Sequence, residues 1–284
     1  MMPLSHTDYT VGCICPMGVE LAPVTAMLDE NHPNLPILRN QNSYTLGRIG
    51  KHNTVIAVLP EIGNNLSATV ATQLLNDFPS IHFVLLVGIG GGVPDDEDGD
   101  DIRLGDVVIS KPTAAFGGVV QYDLGQYPAS GSFERTGVLA KPPRFLRAAV
   151  EQLAANHRVR GSQVPHYLST MLQRYPAMEE EYSRPGVQLD QLFQADYPHI
   201  SGPNCHNCDK RQIVERSVRG NENPKFHYGT IGSANMVVKD AGLREKLRRE
   251  LKIKCVEMEA ADLMDSFPCL VIRGICDYAD SLKN

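Results

Sequence analysis

The chain lacks the long apolar runs and the basic charge that mark several classes of protein. No apolar stretch approaches the ~20 residues of a membrane-spanning helix, and the first residues, MMPLSHTDYT, lack the basic region and apolar core of a secretory signal. A formal net charge of −6 disfavours a general nucleic-acid surface. We therefore expect a soluble, cytoplasmic protein that binds a small molecule, with no membrane or nucleic-acid partner.

Disulfide and cofactor signals are also missing. The cysteine count, seven, is odd, and most of the thiols lie in apolar runs where they behave as small hydrophobic side chains: Cys13, Cys15, Cys255, Cys269 and Cys276. The glycine-rich VGIGGGVP (87–94) is neither a dinucleotide fingerprint nor a phosphate-binding loop ending in Gly-Lys-Ser/Thr. The acidic DDEDGDD (95–101) lacks the ligand spacing of a hard-cation loop and is interpreted as a solvated loop. We predict no disulfide framework, no metal and no cofactor.

Strand and helix patterns alternate through the first half of the chain. This alternation is typical of a mainly parallel sheet with helices on both faces. The predicted strands are YTVGCIC (9–15), YTLGRIG (44–50), HNTVIAVLP (52–60) and HFVLLVGIGGGV (82–93), and helices are predicted over 19–29 and 65–77. At 284 residues the chain is long enough for one large α/β domain. We interpret residues 1–284 as that single domain.

Residues 141–225 differ in character from the rest of the chain. They are rich in proline, carry more basic than acidic residues, and contain two helical patterns, over 145–156 and 166–174. No flexible linker brackets them. We expect an elaboration of helices and loops packed on one edge of the core. Strand patterning returns at FHYGTIGSA (226–234), followed by a charged helix over 240–251.

Carboxylates stand at the ends of the predicted buried elements. Asp277 follows the apolar run CLVIRGIC, Glu257 and Glu259 lie where a strand gives way to a helix, and Glu20 opens the helix after the first strand. Ligands of parallel sheets bind beyond the carboxyl ends of strands, where these acids fall. The alternative is that the glutamates cap helices and Asp277 starts a turn. The pattern alone leaves both interpretations open.

Several segments together resemble the purine nucleoside phosphorylase and nucleosidase superfamily. They are CPMGVELAPV, VGIGGGVP, DIRLGDVVIS, HYGTIGSA, VEMEAADLM and IRGICDYAD, in that order, and the resemblance runs from about Tyr9 to the end of the chain. Within the superfamily the chain looks most like the fungal branch, whose domains often lie at the N-terminus of NLR-like signalling proteins. The resemblance implies a three-layer α/β/α fold around a mixed, partly barrel-like sheet. It also implies chemistry at the N-glycosidic bond of a nucleoside, frequent homo-oligomers, and further domains as potential partners.

The resemblance assigns a role to each matching position. Asp277 matches the general acid that protonates or hydrogen-bonds N7 of the departing purine, and Glu259 matches the acceptor for the ribose 2′- and 3′-hydroxyls. Met258 would pack against the ribose, with Glu257 supporting the site or touching a hydroxyl. The remaining substrate-binding positions are Gly88, Ile89 and Gly90 of the glycine-rich segment, with Asn235 and Met236 as the wall behind the base.

The same comparison bears on what attacks the sugar. Phosphorylases of the family hold phosphate with an arginine in the first loop, a second arginine before the glycine-rich loop, and a serine within it. Here the first loop has no arginine, and Leu86 and Ile89 occupy the other positions. Glu20 matches the glutamate that deprotonates the attacking water in nucleosidases, a role that contributes ~100- to 10,000-fold. The resemblance favours hydrolysis, with phosphorolysis as the alternative.

The substrate beyond the ribose is open at this level. Adenine is the expected base, and a 5′-phosphorylated substrate such as ATP would need cations. The elaboration offers them as Arg144, Arg147, Lys210, Arg211, Arg216 and Arg219, which could equally face solvent. The chain stops at DYADSLKN, before a helix that family members carry. A different hypothesis is a nucleoside-sensing or oligomerising module without catalysis, although retention of Glu20, Glu259 and Asp277 argues against it.

A short cysteine motif lies inside the elaboration. Cys205-His206-Asn207-Cys208 follows His199 by a few residues. A single C-x-x-C is a weak zinc signal because a structural zinc site uses four ligands. We interpret the motif as a loop with two reduced thiols, with zinc as the alternative.

Overall fold

A mixed sheet runs through the centre of the computed structural model, which describes residues 4–36, 42–95, 98–129, 131–183, 186–199, 205–267 and 269–282. The strands are β1 (Val11–Cys15), β2 (Glu30–Asn31), β3 (Tyr44–Ile49), β4 (His52–Val58), β5 (Phe83–Gly92), β6 (Val107–Ser110), β7 (Val119–Gln121), β8 (Gly125–Gln126), β9 (Glu134–Arg135), β10 (Phe226–Ser233), β11 (Ile253–Glu257) and β12 (Leu270–Asp277). The α-helices are α1 (Gly18–Ala26), α2 (Asn64–Asp77), α3 (Arg144–Arg160), α4 (Val164–Arg174), α5 (Glu179–Tyr182), α6 (Ala241–Leu251) and α7 (Ala260–Ser266).

Part of the sheet closes on itself. Its strand order is β11-β10-β6-β12-β5-β1-β4-β3-β2, and an additional antiparallel pairing of β11 with β5 joins the first strand to the fifth. Strands β5, β12, β6, β10 and β11 therefore form a small barrel, and β1 to β4 extend it as an open sheet. The predicted α/β fold with a mixed, partly barrel-like sheet is confirmed.

Glycines at the end of β5 make the closure possible. A side chain at Gly90 would place its Cβ 2.9 Å from the carbonyl oxygen of Val256 in β11, and one at Gly92 would lie 2.8 Å from Ile275 Cγ2 in β12. Both distances are shorter than carbon side chains tolerate, so the neighbouring strands approach β5 only because these positions are bare. The glycine-rich segment is therefore required for the closure of the barrel.

The apolar runs of the sequence form the hydrophobic core of the protein. The largest cluster of buried side chains joins β1, α2, β5, α7 and β12 through residues such as Ile14, Leu74, Leu86, Met264 and Val271. Each is less than 1% exposed. Strand β1 is buried at every position, as expected for a near-continuous apolar run in a parallel sheet, whereas β5 alternates between buried and half-buried residues before its glycine-rich end.

Two local expectations are corrected. The apolar run before Asp277 does not stop short of the acid, because Asp277 is the last residue of β12 and pairs in register with Gly91. The acidic stretch after β5 is not simply solvated, although residues 96–97 fall outside the described ranges. Its Asp95 is 3% exposed and accepts a hydrogen bond of 2.6 Å from Arg248.

No helix among the described residues is long and apolar enough to cross a membrane.

Candidate active site

Glu20 sits where β1 gives way to α1, at one end of the barrel. Its Oε2 accepts a hydrogen bond from the backbone N–H of Met17 at 2.6 Å, and its Oε1 accepts one from the backbone N–H of Ile89 at 2.7 Å. The first bond is the capping role considered for this residue, and the second ties the carboxylate to β5. Burial raises the pKa of Glu20 despite these bonds and the nearby Arg273.

Arg273 is the centre of the charged cluster and was missed by sequence reasoning. It lies in the middle of β12 and is fully buried. Its guanidinium lies 3.1 Å from Glu259 Oε2 and 3.8 Å from Glu20 Oε1, and it pairs with Glu257. Burial would lower the pKa of Arg273, but the three carboxylates raise it. The signal available in the sequence was a lone arginine inside an otherwise apolar strand.

The side chains of Glu257 and Glu259 make different contacts at the N-terminus of α7. Both oxygens of Glu257 accept hydrogen bonds from the backbone N–H of Ala260, at 3.0 and 3.2 Å, so this side chain caps the helix. The side chain of Glu259 makes no capping bond and points to Arg273. Burial is the main cause that raises the pKa of Glu259, to about 7, and the neighbouring carboxylates Glu257 and Glu20 add to it.

Gly88 leaves the space in which these groups meet. A Cβ on Gly88 would lie 2.4 Å from Glu20 Oε1 and 2.2 Å from an Arg273 guanidinium nitrogen. Any side chain here would push the carboxylate and the guanidinium apart. The glycine expected to admit a ligand therefore makes room for the charged pair beneath β5, while Ile89 and Gly90 line the cavity itself.

Asp277 reaches the same cavity from the end of β12. Its Oδ1 accepts a hydrogen bond of 2.7 Å from the backbone N–H of Ala279, and Cys276 Sγ lies 3.2 Å from its Oδ2. Ala279 has a φ of +50°, a conformation uncommon for a residue with a side chain. Asp277 therefore both begins a turn and lies at the cavity, so the two interpretations of this residue hold together. A side chain at Gly91 would meet Asp277 Oδ1 at 2.9 Å.

These side chains enclose one cavity of about 240 Å³. Glu20, Glu257, Glu259 and Asp277 all line it, although Glu20 precedes the others by more than half of the chain. The apolar part of the lining includes Met17, Ile62, Ile89, Met236, Val237 and Met258. Asn235 is placed differently, because its Oδ1 accepts a hydrogen bond of 3.0 Å from the backbone N–H of Asn64 at the start of α2. The predicted acids and all predicted binding residues except Gly88 and Asn235 therefore meet at the cavity.

Two further cavities adjoin this one. A groove of about 1300 Å³ between α1 and the elaboration shares Glu20, Ile89 and Cys276 with it. A second cavity of about 440 Å³ shares Cys276 and Asp277 and is bounded by Lys210 and Tyr278. The cavity is thus continuous with surfaces that the elaboration contributes.

Most of the basic residues singled out in the elaboration face other partners. Arg216 donates to Tyr278 Oη at 2.8 Å and pairs with Asp190 at 3.1 Å. Arg219 pairs with Asp106 at 2.6 Å. Arg211 pairs with the neighbouring Asp209, and Arg144 and Arg147 line a separate depression beside Lys111. Lys210 is the member of the set that borders a cavity containing Asp277.

Potential metal ligands gather outside the cavity that holds Glu20 and Glu259. Among the described residues, the side chains grouped tightly enough to hold an ion are those of His199, Cys205 and Cys208.

Comparison with protein families agrees with this geometry. A family model described as the phosphorylase superfamily matches residues 10–284. The chain belongs to the phosphorylase superfamily. The resemblance inferred from the separate motifs is therefore confirmed over nearly the whole sequence.

Two sequence relatives are similar to this chain over nearly its whole length. It is 41% identical over 283 residues to a nucleotide-binding leucine-rich repeat (NLR)-like protein of Hyaloscypha variabilis, covering 99% of this chain and 28% of the relative. The chain thus spans little more than a quarter of that protein. It is 25% identical over 281 residues to a 5′-methylthioadenosine/S-adenosylhomocysteine nucleosidase of Mycobacterium tuberculosis, covering 95% of this chain and 86% of the relative.

Solved structures of the superfamily share the fold. Futalosine hydrolase of Helicobacter pylori superimposes with a TM-score of 0.59 at 18% identity, covering 99% of this chain and 89% of that one. The 5′-methylthioadenosine/S-adenosylhomocysteine nucleosidase of Neisseria meningitidis, in complex with methylthio-immucillin-A, gives 0.58 at 17% identity, covering 96% and 87%. The barrel and its flanking helices are therefore the superfamily fold.

Proposed function

We propose that this chain is a purine nucleosidase that hydrolyses the N-glycosidic bond of an adenine nucleoside or nucleotide. The observation that carries the proposal is the joint placement of Glu20, Glu259 and Asp277 around one cavity, with Arg273 holding the first two. Named nucleosidases among the relatives support the reaction class.

Each carboxylate has a geometry suited to one step. Glu20 is fixed through both oxygens and has a raised pKa, so it accepts a proton from water more readily than a solvated glutamate. Asp277, at the carboxyl end of β12, donates or shares the proton that the departing base needs. Glu259 accepts hydrogen bonds from the ribose hydroxyls, and such bonds strengthen as positive charge develops on the sugar. The bond between the anomeric carbon and the base nitrogen breaks as the carbon–oxygen bond to water forms.

The charge of the cavity disfavours phosphate as the attacking group. Four carboxylates border the cavity, and three of them, Glu20, Glu257 and Glu259, already pair with the buried guanidinium of Arg273 behind them. Two like charges about 4 Å apart oppose each other by about 4 kcal/mol at the effective dielectric of a protein surface. The same negative field stabilises an oxocarbenium-like sugar. Leu86, at the position of a phosphate-binding arginine, is fully buried in β5.

The surroundings of the site bear on the 5′ substituent. Among the described residues that line the cavity and its two neighbours, Lys210 alone has a basic side chain. The larger groove instead carries Glu179, Glu181 and Glu222. A triphosphate requires several convergent cations. The described residues thus fit an adenine nucleoside with an uncharged 5′ group better than ATP.

Product chromatography tests the reaction and the substrate together. Adenosine, methylthioadenosine, AMP and ATP are each incubated with the protein, with and without phosphate. We expect free adenine and the ribose product in both conditions, with faster turnover of the two nucleosides. Ribose 1-phosphate formed only when phosphate is present would replace hydrolysis with phosphorolysis. Faster turnover of ATP would show that cations reach the 5′ end from a second copy or another segment.

The NLR-like relative supports a second role for the same site. Because the chain matches 28% of that protein's length, we propose that it forms one part of a larger signalling protein and assembles as a homo-oligomer. A non-catalytic sensing module is the competing proposal. Binding of adenosine without any product, measured by calorimetry and chromatography on the same sample, would favour the sensor.

A further inference from the structure

Three metal-binding side chains converge at the outer edge of the elaboration. The ligand atoms of His199, Cys205 and Cys208 all lie within 4.8 Å of one another. Cys208 Sγ lies 3.5 Å from His199 Nδ1. The two cysteines sit on one short 3₁₀ turn and its next residue, with two residues between them. These are side chains that neither the barrel nor the proposed reaction uses.

The spacing matches tetrahedral zinc. Zinc binds thiolate sulfur at about 2.3 Å and imidazole nitrogen at about 2.0 Å, so a sulfur and a nitrogen on one tetrahedral ion lie about 3.5 Å apart. The observed separation of Cys208 Sγ and His199 Nδ1, which a thiol–imidazole hydrogen bond also spans, equals this distance. Thiolate and imidazole together also form the ligand set that selects zinc over the hard cations.

The other cysteines provide an internal contrast. Cys13 and Cys15 place their sulfurs 4.0 Å apart in the core. The hydrogen bond with Cys15 and burial raise the pKa of Cys13, and burial raises the pKa of Cys269 to about 12, so these thiols keep their protons. A metal needs the thiolate. Cys205 is partly exposed and its carbonyl accepts a hydrogen bond of 3.3 Å from the Lys210 ammonium, which brings a cation close to the turn.

We propose that His199, Cys205 and Cys208 bind one zinc ion, with water in the fourth position. Each thiol releases its proton to solvent when its sulfur bonds the metal, and His199 binds through Nδ1 in its neutral form. Binding therefore weakens as pH falls and the ligands are protonated.

The position of the site gives it a consequence for the substrate cavity. The backbone N–H of His199 donates to Ser281 Oγ at 3.0 Å, so this ligand lies against the segment that follows Asp277. Cys205 lines the cavity of about 440 Å³ that also contains Asp277 and Tyr278. The ion would tie His199 to the Cys205–Cys208 turn, and the hydrogen bond from His199 to Ser281 places this linked part of the elaboration beside the end of β12.

Metal analysis of the purified full chain tests the proposal. Protein prepared in zinc-containing medium, without chelators or a histidine tag, should contain about one zinc per chain by mass spectrometry of metals. Cys205→Ser and Cys208→Ser should each lose most of it. Cys276→Ser, which changes another exposed thiol outside the cluster, should keep it. Equal zinc in all four proteins, or none in the parent protein, would overturn the site.

A second measurement protects against variants that fail to fold. The unmodified protein is loaded with cobalt(II), and a thiolate-to-cobalt charge-transfer band with intense tetrahedral d–d absorption is expected. Mass measurement of the same sample reports whether Cys205 and Cys208 instead form a disulfide. A disulfide, or cobalt spectra without the thiolate band, would contradict zinc binding whatever the enzyme activity.

Discussion

Two buried charge clusters in this protein have opposite balances. Around Arg273, three carboxylates share one guanidinium, with Asp277 nearby in the same cavity. Around Asp106, one fully buried carboxylate receives Arg219 at 2.6 Å, His227 at 3.0 Å and two backbone N–H groups. In the first cluster several acids share one cation, whereas in the second a single acid, Asp106, has several donors, and Asp101 and Asp100 also contact Arg219 and His227.

The pKa directions follow from this difference. The pKa of Glu20 and of Glu259 is raised, because burial and like charges outweigh the single cation. The pKa of Asp106 is lowered despite its burial, because Arg219, His227 and the N–H groups favour its charged form. An acid that holds its proton strongly can take part in proton transfer, whereas a fully paired acid stabilises the fold. The direction of the pKa shift therefore distinguishes the candidate active site around Arg273 from the structural cluster around Asp106.

The largest expected effect is on the reaction. Glu20→Gln keeps the size of the side chain and removes its ability to accept a proton, so we expect kcat for adenine release to fall ~100- to 10,000-fold. Thermal unfolding should be unchanged or shifted upward, because a negative charge leaves an acidic cluster. The matched control is Glu250→Gln on the exposed face of α6. Loss of activity in the control, or full activity in Glu20→Gln, would contradict the assignment.

The second expected effect is a loss of stability when the cluster around Asp106 is disrupted. Asp106→Asn removes the buried carboxylate that Arg219 and His227 share and leaves them with the more exposed Asp101 and Asp100, so the free energy of unfolding should fall by up to about 3 kcal/mol. Urea unfolding measures it. Arg211→Gln, which breaks an exposed pair with Asp209, is the control and should change stability by less than about 1 kcal/mol. Equal losses in both variants would mean that the Asp106 network is not specially stabilising.

The third effect is the pH dependence of activity. Glu259 accepts ribose hydrogen bonds best when ionised, and its pKa is raised to about 7. We therefore expect kcat/KM to fall about tenfold per pH unit below 7 and to level off above it. Initial rates across a pH series measure this limb. Glu259→Gln should flatten it at a lower rate, and an unchanged limb in that variant would assign the titration to another group.

The smallest effect is a difference in how the two clusters stabilise the fold as pH changes. Glu259 has a folded pKa of about 7 against an ordinary value of 4.5, so its contribution to stability is present below 4.5 and is lost as pH rises towards 7. Asp106 has a lowered pKa, so its contribution is present above 3.8 and is lost as pH falls below that value. Each contributes at most about 1.4 kcal/mol per pH unit within its window. Urea midpoints of Glu259→Gln and Asp106→Asn across pH should each lose one of these slopes, and the same slope lost in both would contradict the contrast.

The elements of the fold could be predicted from the sequence because their signals are local. The run before Asp277 became β12, the periodic segment from Asn65 to Asp77 became α2, and the two helical patterns of the elaboration became α3 and α4, each within a few residues. The motifs also located Glu20, Glu259 and Asp277, which the fold brings to one cavity. Apolar periodicity reports which backbone conformation buries one face, and that depends on near neighbours in the chain.

The members of the site that depend on distant pairing were not predictable in this way. Arg273 stood in the sequence as one cation in an apolar strand, and only the fold showed that residues 20, 257 and 259 surround it. Gly88 was expected to admit a ligand, and only the fold showed that its missing side chain leaves room for Glu20 and Arg273. Asn235 was expected behind the base, and only the fold showed that it accepts a hydrogen bond from Asn64. Each of these contacts joins segments far apart in the chain.

The sequence by itself determined the order of strands and helices, the family resemblance, and the acids that end buried elements. The tertiary structure decided which acids share a cation, which basic side chains of the elaboration are bound to carboxylates, and where the metal ligands meet. The physical reason is that hydrophobic periodicity acts along the chain, whereas Coulomb energy and desolvation depend on distances and burial that exist only after the barrel closes.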